Sequence, residues 1–296
     1  MESIFIFTAG INENDLLLTV SSAYQKAKFP ERVFFGIYEH RTDNNFVDVS
    51  LYKNVKKISV NYRSPLGVGL SRLSAFLLNE NQKYCLQVDA HTIFESNWDL
   101  KIINEYNQIK KLYPNPIIST RPKWYSYDQQ GNIQYNSTEC GKLKIDHKKH
   151  FEICGNDIVE KNKKVFEHYL VSASFIFSEF KFFSDVLPDP KIHFYGDEHT
   201  TALRAVTRGY RIFAVKDCHV WTLGKNPEDR SLNNWKNIEI VRLTDNEPYS
   251  NFHKMPTDKD NVVRKILNGE VLGYWGAPSY DLYEEYVQML GFDYRI

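Results

Sequence analysis

Short apolar runs rich in β-branched and aromatic residues alternate with helical stretches through roughly the first 120 residues, and this alternation restricts the fold more than any other feature. The pattern predicts strands at residues 3–8, 32–39, 55–62, 84–89 and 116–120. It predicts helices between them at residues 15–28, 65–78 and 97–113. Such an order favours a mostly parallel sheet with helices on both faces. We therefore expect an α/β, Rossmann-like fold whose central strand ends at Asp89.

The second half of the chain begins with a segment that shows no clear hydrophobic period. Residues 121–162 are polar, aromatic and lysine-rich, so we expect an irregular insert that carries specificity. Further elements are predicted in order: a strand at 170–177, a helix at 197–208, a strand at 210–215 and helices at 258–267 and 279–289. No Pro/Gly/Ser-rich linker precedes the last two helices. Residues 1–296 are therefore predicted to form a single domain, with the C-terminal helical segment 257–296 packed on the core.

Net charge and cysteine content restrict the binding partners and the cellular compartment that the sequence predicts. The 37 basic and 37 acidic residues cancel, so no bulk charge attracts the chain to nucleic acid or to an anionic membrane. The four cysteines form no CxxC pair, and no apolar run approaches the ~20 residues of a membrane span. The N-terminus does not resemble a secretory signal. We expect a reduced, cytoplasmic protein without membrane association.

The sequence Gln87-Val88-Asp89-Ala90-His91 carries the strongest local chemical signal. Ligands of open parallel sheets bind at the carboxyl ends of strands, and residues two apart in an extended chain point the same way. An Asp oxygen and a His nitrogen suit Mn²⁺ or Mg²⁺, and a diphosphate can complete the shell. The alternative is that Asp89 is a turn residue and His91 an ordinary surface residue.

Two further signals are weaker on their own. Asp197 and Glu198 follow Gly196 at the start of a predicted helix, where acids are favoured by the helix dipole. One of the two carboxylates could instead point into a cleft and contact sugar hydroxyls or stabilise charge at an anomeric carbon. His219 follows a strand, and it is a candidate third ligand for a metal held by Asp89 and His91.

These motifs, in this order, resemble the glycosyltransferase family that includes the cytoplasmic hydroxyproline N-acetylglucosaminyltransferase. The resemblance rests on the following segments: the N-terminal strand and helix, the Gly67–Arg72 pattern, Gln87 to Asp99, Phe194 to Glu198, Arg208 to Ala214, His219, and Gly291-Phe292-Asp293. The chain departs from the family pattern at residues 8–14, where a Ser-Tyr-Arg-Asp type segment is usual, and through residues 121–162.

The resemblance implies a GT-A fold and retaining transfer from a uridine-diphosphate sugar, with the departing phosphate deprotonating the acceptor. A divalent metal would bridge the Asp-x-His motif and the diphosphate, and Arg72 would help to neutralise the diphosphate charge. The implied donor-binding residues are Thr8, Ala9, Arg72, Gln87 and Asp89. The implied metal ligands are Asp89, His91 and His219. Asp197 is favoured over Glu198 as the carboxylate in the cleft.

The acceptor remains open, and two other classes of function compete. A protein hydroxyl is favoured by the resemblance, while a hydroxymethylated DNA base or a surface glycan is the alternative acceptor. A DNA acceptor could be gripped by basic and aromatic residues of the insert, namely Lys142, Lys144, Lys148, Lys149, Lys161, Lys163, Lys164, Trp124, Tyr125 and Tyr127. A metal-dependent phosphoesterase is the second class, although no second carboxylate-rich ligand set is visible. A non-catalytic sugar-binding module is the third.

Overall fold

The structure, a computed structural model, describes residues 2–41, 44–61, 67–137, 140–146, 152–157, 165–192, 194, 196–224 and 262–295. The strands are β1 (Ile4–Ile11), β2 (Val33–Arg41), β3 (Val55–Asn61), β4 (Tyr84–Val88), β5 (Thr92–Phe94), β6 (Pro116–Ser119), β7 (Lys123–Tyr127), β8 (Ile133–Tyr135), β9 (Lys142–Asp146), β10 (Glu152–Asp157), β11 (Val165–His168), β12 (Phe175–Glu179), β13 (Arg211–Val215) and β14 (Val220–Leu223). The helices are α1 (Leu16–Lys26), α2 (Val68–Phe76), α3 (Trp98–Lys110), α4 (Phe180–Asp185), α5 (Asp197–Val206), α6 (Val262–Leu267) and α7 (Tyr280–Leu290), with a 3₁₀ turn at Pro30–Arg32.

The central sheet has eight strands in the order β11-β13-β6-β12-β4-β1-β2-β3. Pairing is parallel between β1 and β2, β1 and β4, β2 and β3, and β6 and β13. It is antiparallel at β12, which lies between β4 and β6, and at β11 on the edge. The predictions of a mostly parallel sheet and of a central strand next to Asp89 are both confirmed.

Alternating side chains of the strands bury both faces of this sheet. Ile4 and Ile6 of β1 pack on the side of α1 and α3, and Phe5 and Phe7 pack on the side of α2 and α4. Full burial of one such side chain contributes about 1.5–3 kcal/mol, so both helical layers are held by the strand pattern. Because β1, β2 and β4 are parallel, their carboxyl ends meet at one edge, and Asp89 lies at that edge.

The prediction that residues 121–162 are irregular is wrong for the part of this segment that the structure describes. β7 and β8 join β5 and β14 in a four-stranded sheet, and β9 and β10 form a hairpin. Buried and exposed residues alternate at the start of β7, but polar and apolar residues do not, so the sequence does not show the strand. Lys123 and Tyr125 are buried, while the aromatic Trp124 between them is 44% exposed. The predicted strand at residues 170–177 is also shifted, since β12 begins only at Phe175.

The C-terminal helices pack on the core, as predicted. A single hydrophobic cluster joins Leu203 of α5 to Val263 and Ile266 of α6 and to Tyr283 and Tyr286 of α7. The packing fixes the start of α5, because a Cβ at Gly196 would lie 2.2 Å from Val263 Cγ1 and its φ of 85° favours glycine. Within the described part of the chain, every helix is too short or too polar to cross a membrane.

Candidate active site

Asp89 and His91 face each other in the turn that follows β4. Asp89 Oδ2 and His91 Nε2 are 3.7 Å apart, and the two side chains are 28% and 15% exposed. Ala90 between them is buried, and its carbonyl accepts a hydrogen bond from Thr19 Oγ1 of α1 at 3.0 Å. Thr92 Oγ1 donates to the Asp89 carbonyl at 2.8 Å. The backbone of the turn is therefore fixed, and it presents both side chains on the same side.

Glu13, which the sequence reasoning did not single out, lies on the other side of the His91 ring. Its Oε2 is 3.2 Å from His91 Nδ1, and its side chain is 13% exposed. Glu13 follows β1, whose carboxyl end meets that of β4 because the two strands are parallel. The available signal was the departure of residues 8–14 from the family pattern, but spacing alone did not connect Glu13 with His91.

Arg72 connects Asp89 with the start of α5. Arg72 Nη2 lies 3.8 Å from Asp89 Oδ1, and Arg72 Nη1 donates a short hydrogen bond to Asp197 Oδ2. Arg72 and Asp197 are both buried. Removing one member of such a pair would leave an uncompensated buried charge. The structure thus brings Arg72, Asp89 and Asp197 together with His91.

Glu198 and Gln87 hold the same backbone segment. Ala173 N donates to Glu198 Oε1 at 2.7 Å, and Gln87 Nε2 donates to the Ala173 carbonyl at 2.7 Å. Burial raises the pKa of Glu198 to about 7, although the hydrogen bond from Ala173 acts in the opposite direction. Gln87 was predicted to contact the sugar donor, but in this structure its side-chain amide donates to the protein backbone.

Thr8 and Ala9, the other predicted donor contacts, lie in β1. They pair with Ile37 and Tyr38 of β2. Thr8 is fully buried, and its hydroxyl has no hydrogen-bond partner among the described residues. Ala9 is half-buried and packs on the sheet face that also carries Tyr38. Of these two residues, only Ala9 is partly exposed at the carboxyl end of the sheet.

The structure separates His219 from the Asp89–His91 pair, which corrects the predicted convergence of three metal ligands. Leu223 N donates to the His91 carbonyl, whereas the His219 carbonyl accepts from Glu95 N. His219 therefore lies four residues further along the ladder of β14 with β5, which is about 13 Å of extended chain. The reason is that β14 pairs antiparallel with β5 in the small sheet: its end at Leu223 lies beside His91, and His219 precedes the opposite end, beside Glu95.

His219 instead belongs to a charge cluster with Glu95, Lys123 and Asp217. Its Nδ1 lies 3.4 Å from Asp217 Oδ2 and 3.6 Å from Glu95 Oε2, and ligand atoms of these three residues approach one another closely enough for a metal. However, Lys123 Nζ contacts both carboxylates. Burial opposes the charge on His219, but Asp217 and Glu95 outweigh it and raise its pKa to about 9. Glu105 Oε2 lies 3.8 Å from His219 Nε2, and Lys101 Nζ lies 3.5 Å from Glu95 Oε2, so three carboxylates face three cationic side chains here.

The first strand of the insert lies beside the Asp89–His91 turn. Tyr125 Oη donates to Asp15 Oδ2 at 3.2 Å and lies 3.4 Å from the His91 carbonyl oxygen. Tyr127 Oη donates to Asp15 Oδ1 at 2.8 Å. Asp15 therefore binds these hydroxyls, and its side chain makes no capping hydrogen bond to α1. Lys148, Lys149, Lys161, Lys163 and Lys164 lie outside the described residues, as do the side chains of Lys142 and Lys144.

The chain was compared with protein families, curated proteins and solved structures. The family model described as "Glycosyltransferase (GlcNAc)" matches residues 43–243, more than half of the chain. No curated protein matches the sequence. The structure of GalNAc-T7 with UDP, GalNAc and Mn²⁺ is similar, with a TM-score of 0.63, 12% identity and coverage of 98% of this chain. The chain spans 55% of that structure's length, about half. This similarity confirms the GT-A fold.

Two structures of S. aureus TarS 1–349 are also similar, each with a TM-score of 0.48 and 14% identity. The structure without a named ligand matches 81% of this chain and 64% of TarS. The complex with UDP-GlcNAc matches 90% of this chain and 71% of TarS.

Proposed function

Since the chain belongs to the glycosyltransferase (GlcNAc) family, we propose that it transfers a sugar from a UDP-sugar to a hydroxyl group of a macromolecule with the help of Mn²⁺ or Mg²⁺. One observation carries this proposal: Asp89, His91 and Arg72 meet at the carboxyl end of β4. A carboxylate, an imidazole and a guanidinium at this edge offer two metal ligands and one cation for a diphosphate.

The Asp89–His91 pair fits a divalent cation. Two ligand atoms that each lie about 2.1 Å from one ion can be at most about 4.2 Å apart, and Asp89 Oδ2 and His91 Nε2 are 3.7 Å apart. The two atoms present lone pairs to each other when the Nε2 atom carries no proton, so a cation between them is favourable. The bound ion would act as a Lewis acid for the diphosphate leaving group. With His219 elsewhere, diphosphate oxygens would supply further ligands.

Arg72 and the two acids of α5 have separate proposed roles. Arg72 contributes positive charge where the diphosphate would lie, and Asp197 holds its guanidinium in place. Asp197 remains the carboxylate that we propose in the cleft. Glu198 holds the backbone at Ala173, which precedes β12. Among these acids, Asp197 is paired with Arg72 and Glu198 with a backbone amide, so neither is placed as a free nucleophile.

We propose retention of the anomeric configuration, with the departing phosphate accepting the proton of the acceptor hydroxyl. The family resemblance and the engagement of Asp197 and Glu198 support this assignment. Proton NMR of the freshly formed product distinguishes the two outcomes by the coupling constant of the anomeric proton. An α-linked product from an α-linked UDP-sugar agrees with the proposal, and a β-linked product contradicts it.

A protein hydroxyl is the proposed acceptor. The zero net charge supports it, because DNA binding relies on released counterions and a positive surface. Binding of a protein acceptor should then change little between about 50 and 200 mM salt. If the acceptor were DNA held by six or more phosphate contacts, the same rise in salt would weaken binding by about 10³-fold or more. Trp124→Ala should weaken binding of a peptide acceptor more than the charge reversals Lys148→Glu and Lys149→Glu. Transfer to a glycan alone would contradict this choice.

A donor screen tests the proposal directly. The full chain is incubated with UDP-GlcNAc, UDP-GalNAc or UDP-glucose and Mn²⁺, and the nucleotide product is identified by chromatography. A glycosyltransferase releases UDP, even if slowly to water, and EDTA should stop the release. A phosphoesterase would release UMP and a sugar phosphate, and a sugar-binding module would release nothing. The His91→Ala variant is the negative control.

A further inference from the structure

Glu13 approaches the nitrogen of His91 that faces away from Asp89. The two nitrogen atoms of the ring have different neighbours: Nδ1 is 3.2 Å from Glu13 Oε2, and Nε2 is 3.7 Å from Asp89 Oδ2. A neutral imidazole carries a proton on one nitrogen and a lone pair on the other. A carboxylate at hydrogen-bond distance from Nδ1 favours the proton there, which leaves the lone pair on Nε2, toward Asp89.

The backbone of the turn after β1 positions Glu13 beside His91. Asn12 N donates to the His40 carbonyl at 2.9 Å, which ties the turn after β1 to β2. A Cβ at Gly10 would lie 2.7 Å from Glu13 Cγ and 2.9 Å from Ala90 Cβ, so the close approach requires glycine at this position. The contact between Glu13 and His91 therefore follows from the packing of the two turns.

We propose that Glu13 is a positioning residue for the metal site: it fixes the ring orientation and the tautomer of His91 and makes Nε2 a stronger ligand. A metal-binding histidine generally donates its second N–H to such a partner, and loss of the partner typically costs 10–100-fold in metal affinity. The inference rests on the proposed function, because it concerns the metal that this function would use.

Metal affinity provides the first test. Mn²⁺ binding to the full chain is measured by the loss of the free-ion EPR signal, without any donor or acceptor. We expect Glu13→Ala to raise the dissociation constant by about 10–100-fold. Glu13→Gln, which retains an acceptor oxygen but no charge, should raise it less. Asp15→Asn is the matched control, because it removes a nearby carboxylate that binds Tyr125 and Tyr127, and it should change the constant less than threefold.

The tautomer of His91 provides a second readout that needs no metal. Long-range ¹H–¹⁵N spectra of the metal-free protein should show His91 protonated at Nδ1, and Glu13→Ala should shift the population toward protonation at Nε2. His91→Gln assigns the signal. A wild-type protein that binds Mn²⁺ but matches Glu13→Ala in affinity overturns the role of Glu13 alone. A wild-type protein that binds no Mn²⁺ at millimolar concentration, either alone or with UDP present to supply diphosphate oxygens, overturns the metal-dependent function itself.

Discussion

Asp89 uses its two oxygens for different neighbours. Oδ1 lies 3.8 Å from Arg72 Nη2, and Oδ2 lies 3.7 Å from His91 Nε2. The side chain is 28% exposed, so it lies at the end of a buried strand and outside the core. Its removal should therefore affect the site more than the fold.

Asp89→Asn should reduce turnover by at least about 100-fold, because the amide is a poor ligand and no longer balances Arg72. The melting temperature should change by only a few degrees. UDP release in the presence of Mn²⁺ and thermal unfolding measure the two effects. Asp128→Asn, in the exposed turn between β7 and β8, controls for a general loss of charge. Near-normal turnover of Asp89→Asn would show that the site has been placed wrongly.

Glu198 should make the protein less stable as the pH rises through the acidic range. Its folded pKa of about 7 lies above the ordinary value of 4.5, so the folded protein holds a proton that the unfolded chain releases between these pH values. The free energy of unfolding should fall from about pH 4.5 to 7. Glu198→Gln should remove this fall and be more stable than the wild type at pH 8 by at least about 1 kcal/mol. Urea unfolding at pH 5 and 8 measures the difference; equal pH dependence of the two proteins contradicts it.

At the scale of elements, the small sheet of β5, β14, β7 and β8 connects the insert to the Asp89–His91 turn. The first contact between them consists of the hydrogen bonds that the Tyr125 and Tyr127 hydroxyls donate to Asp15. The second contact is the partly buried charge cluster, in which Lys123 of β7 meets Glu95 after β5 and Asp217 before β14. Strands from three parts of the sequence are thus held in register by charges as well as by backbone hydrogen bonds.

His219 should contribute stability that disappears at alkaline pH. Its folded pKa of about 9 lies above the ordinary 6.5, so the folded state retains a proton that the unfolded chain loses in this range. The contribution is complete below about pH 6.5 and lost as the pH rises through 9, and we expect about 1–2 kcal/mol. His219→Asn should abolish this fall, and Asn tolerates the left-handed φ of 60°. Chemical unfolding from pH 6 to 10 and an NMR titration of His219 test this prediction. An apparent pKa near 6.5 would show that Asp217 and Glu95 do not stabilise the charged imidazole.

At the scale of the whole molecule, the C-terminal helices are part of the core and also support the site. Arg208, which follows α5, donates to the carbonyl oxygens of Gly273 and Tyr274 at 2.8 Å and of Gly276 at 2.9 Å. The segment before α7 is thus tied to the helix whose first residues are Asp197 and Glu198. Local unfolding at the C-terminus should therefore disturb the start of α5.

Arg208→Lys should lower the free energy of unfolding by about 2–4 kcal/mol, because one ammonium group cannot replace a guanidinium that bonds several carbonyls. Arg211→Lys is the matched control: Arg211 is 38% exposed and pairs with Glu167, so the cost should stay below about 1 kcal/mol. Denaturant unfolding of both variants should remain a single transition. A separate early transition in wild type would indicate that the C-terminal helices do not belong to the core.

The order and type of most central elements could be predicted from the sequence, because the burial of each strand and helix leaves a local pattern of apolar residues. The strands β1 to β4 and β6 and the helices α1 to α3 lie within a few residues of their predicted positions. Asp89 and His91 could be identified for the same reason, since both follow directly on an apolar strand. The short strands of the insert were missed because Lys123 and Trp124 break the expected alternation.

Only the tertiary structure decided which residues meet across long stretches of sequence. The pattern of apolar residues indicates that a strand is buried but not which strand it pairs with. The pairing of β14 with β5 therefore places His219 beside Glu95, and the parallel pairing of β1 with β4 places Glu13 beside His91. The Arg72–Asp197 pair, 125 residues apart in sequence, likewise depends on how α2 and α5 pack on one face of the sheet. Contacts of this kind arise from packing geometry, which local composition does not encode.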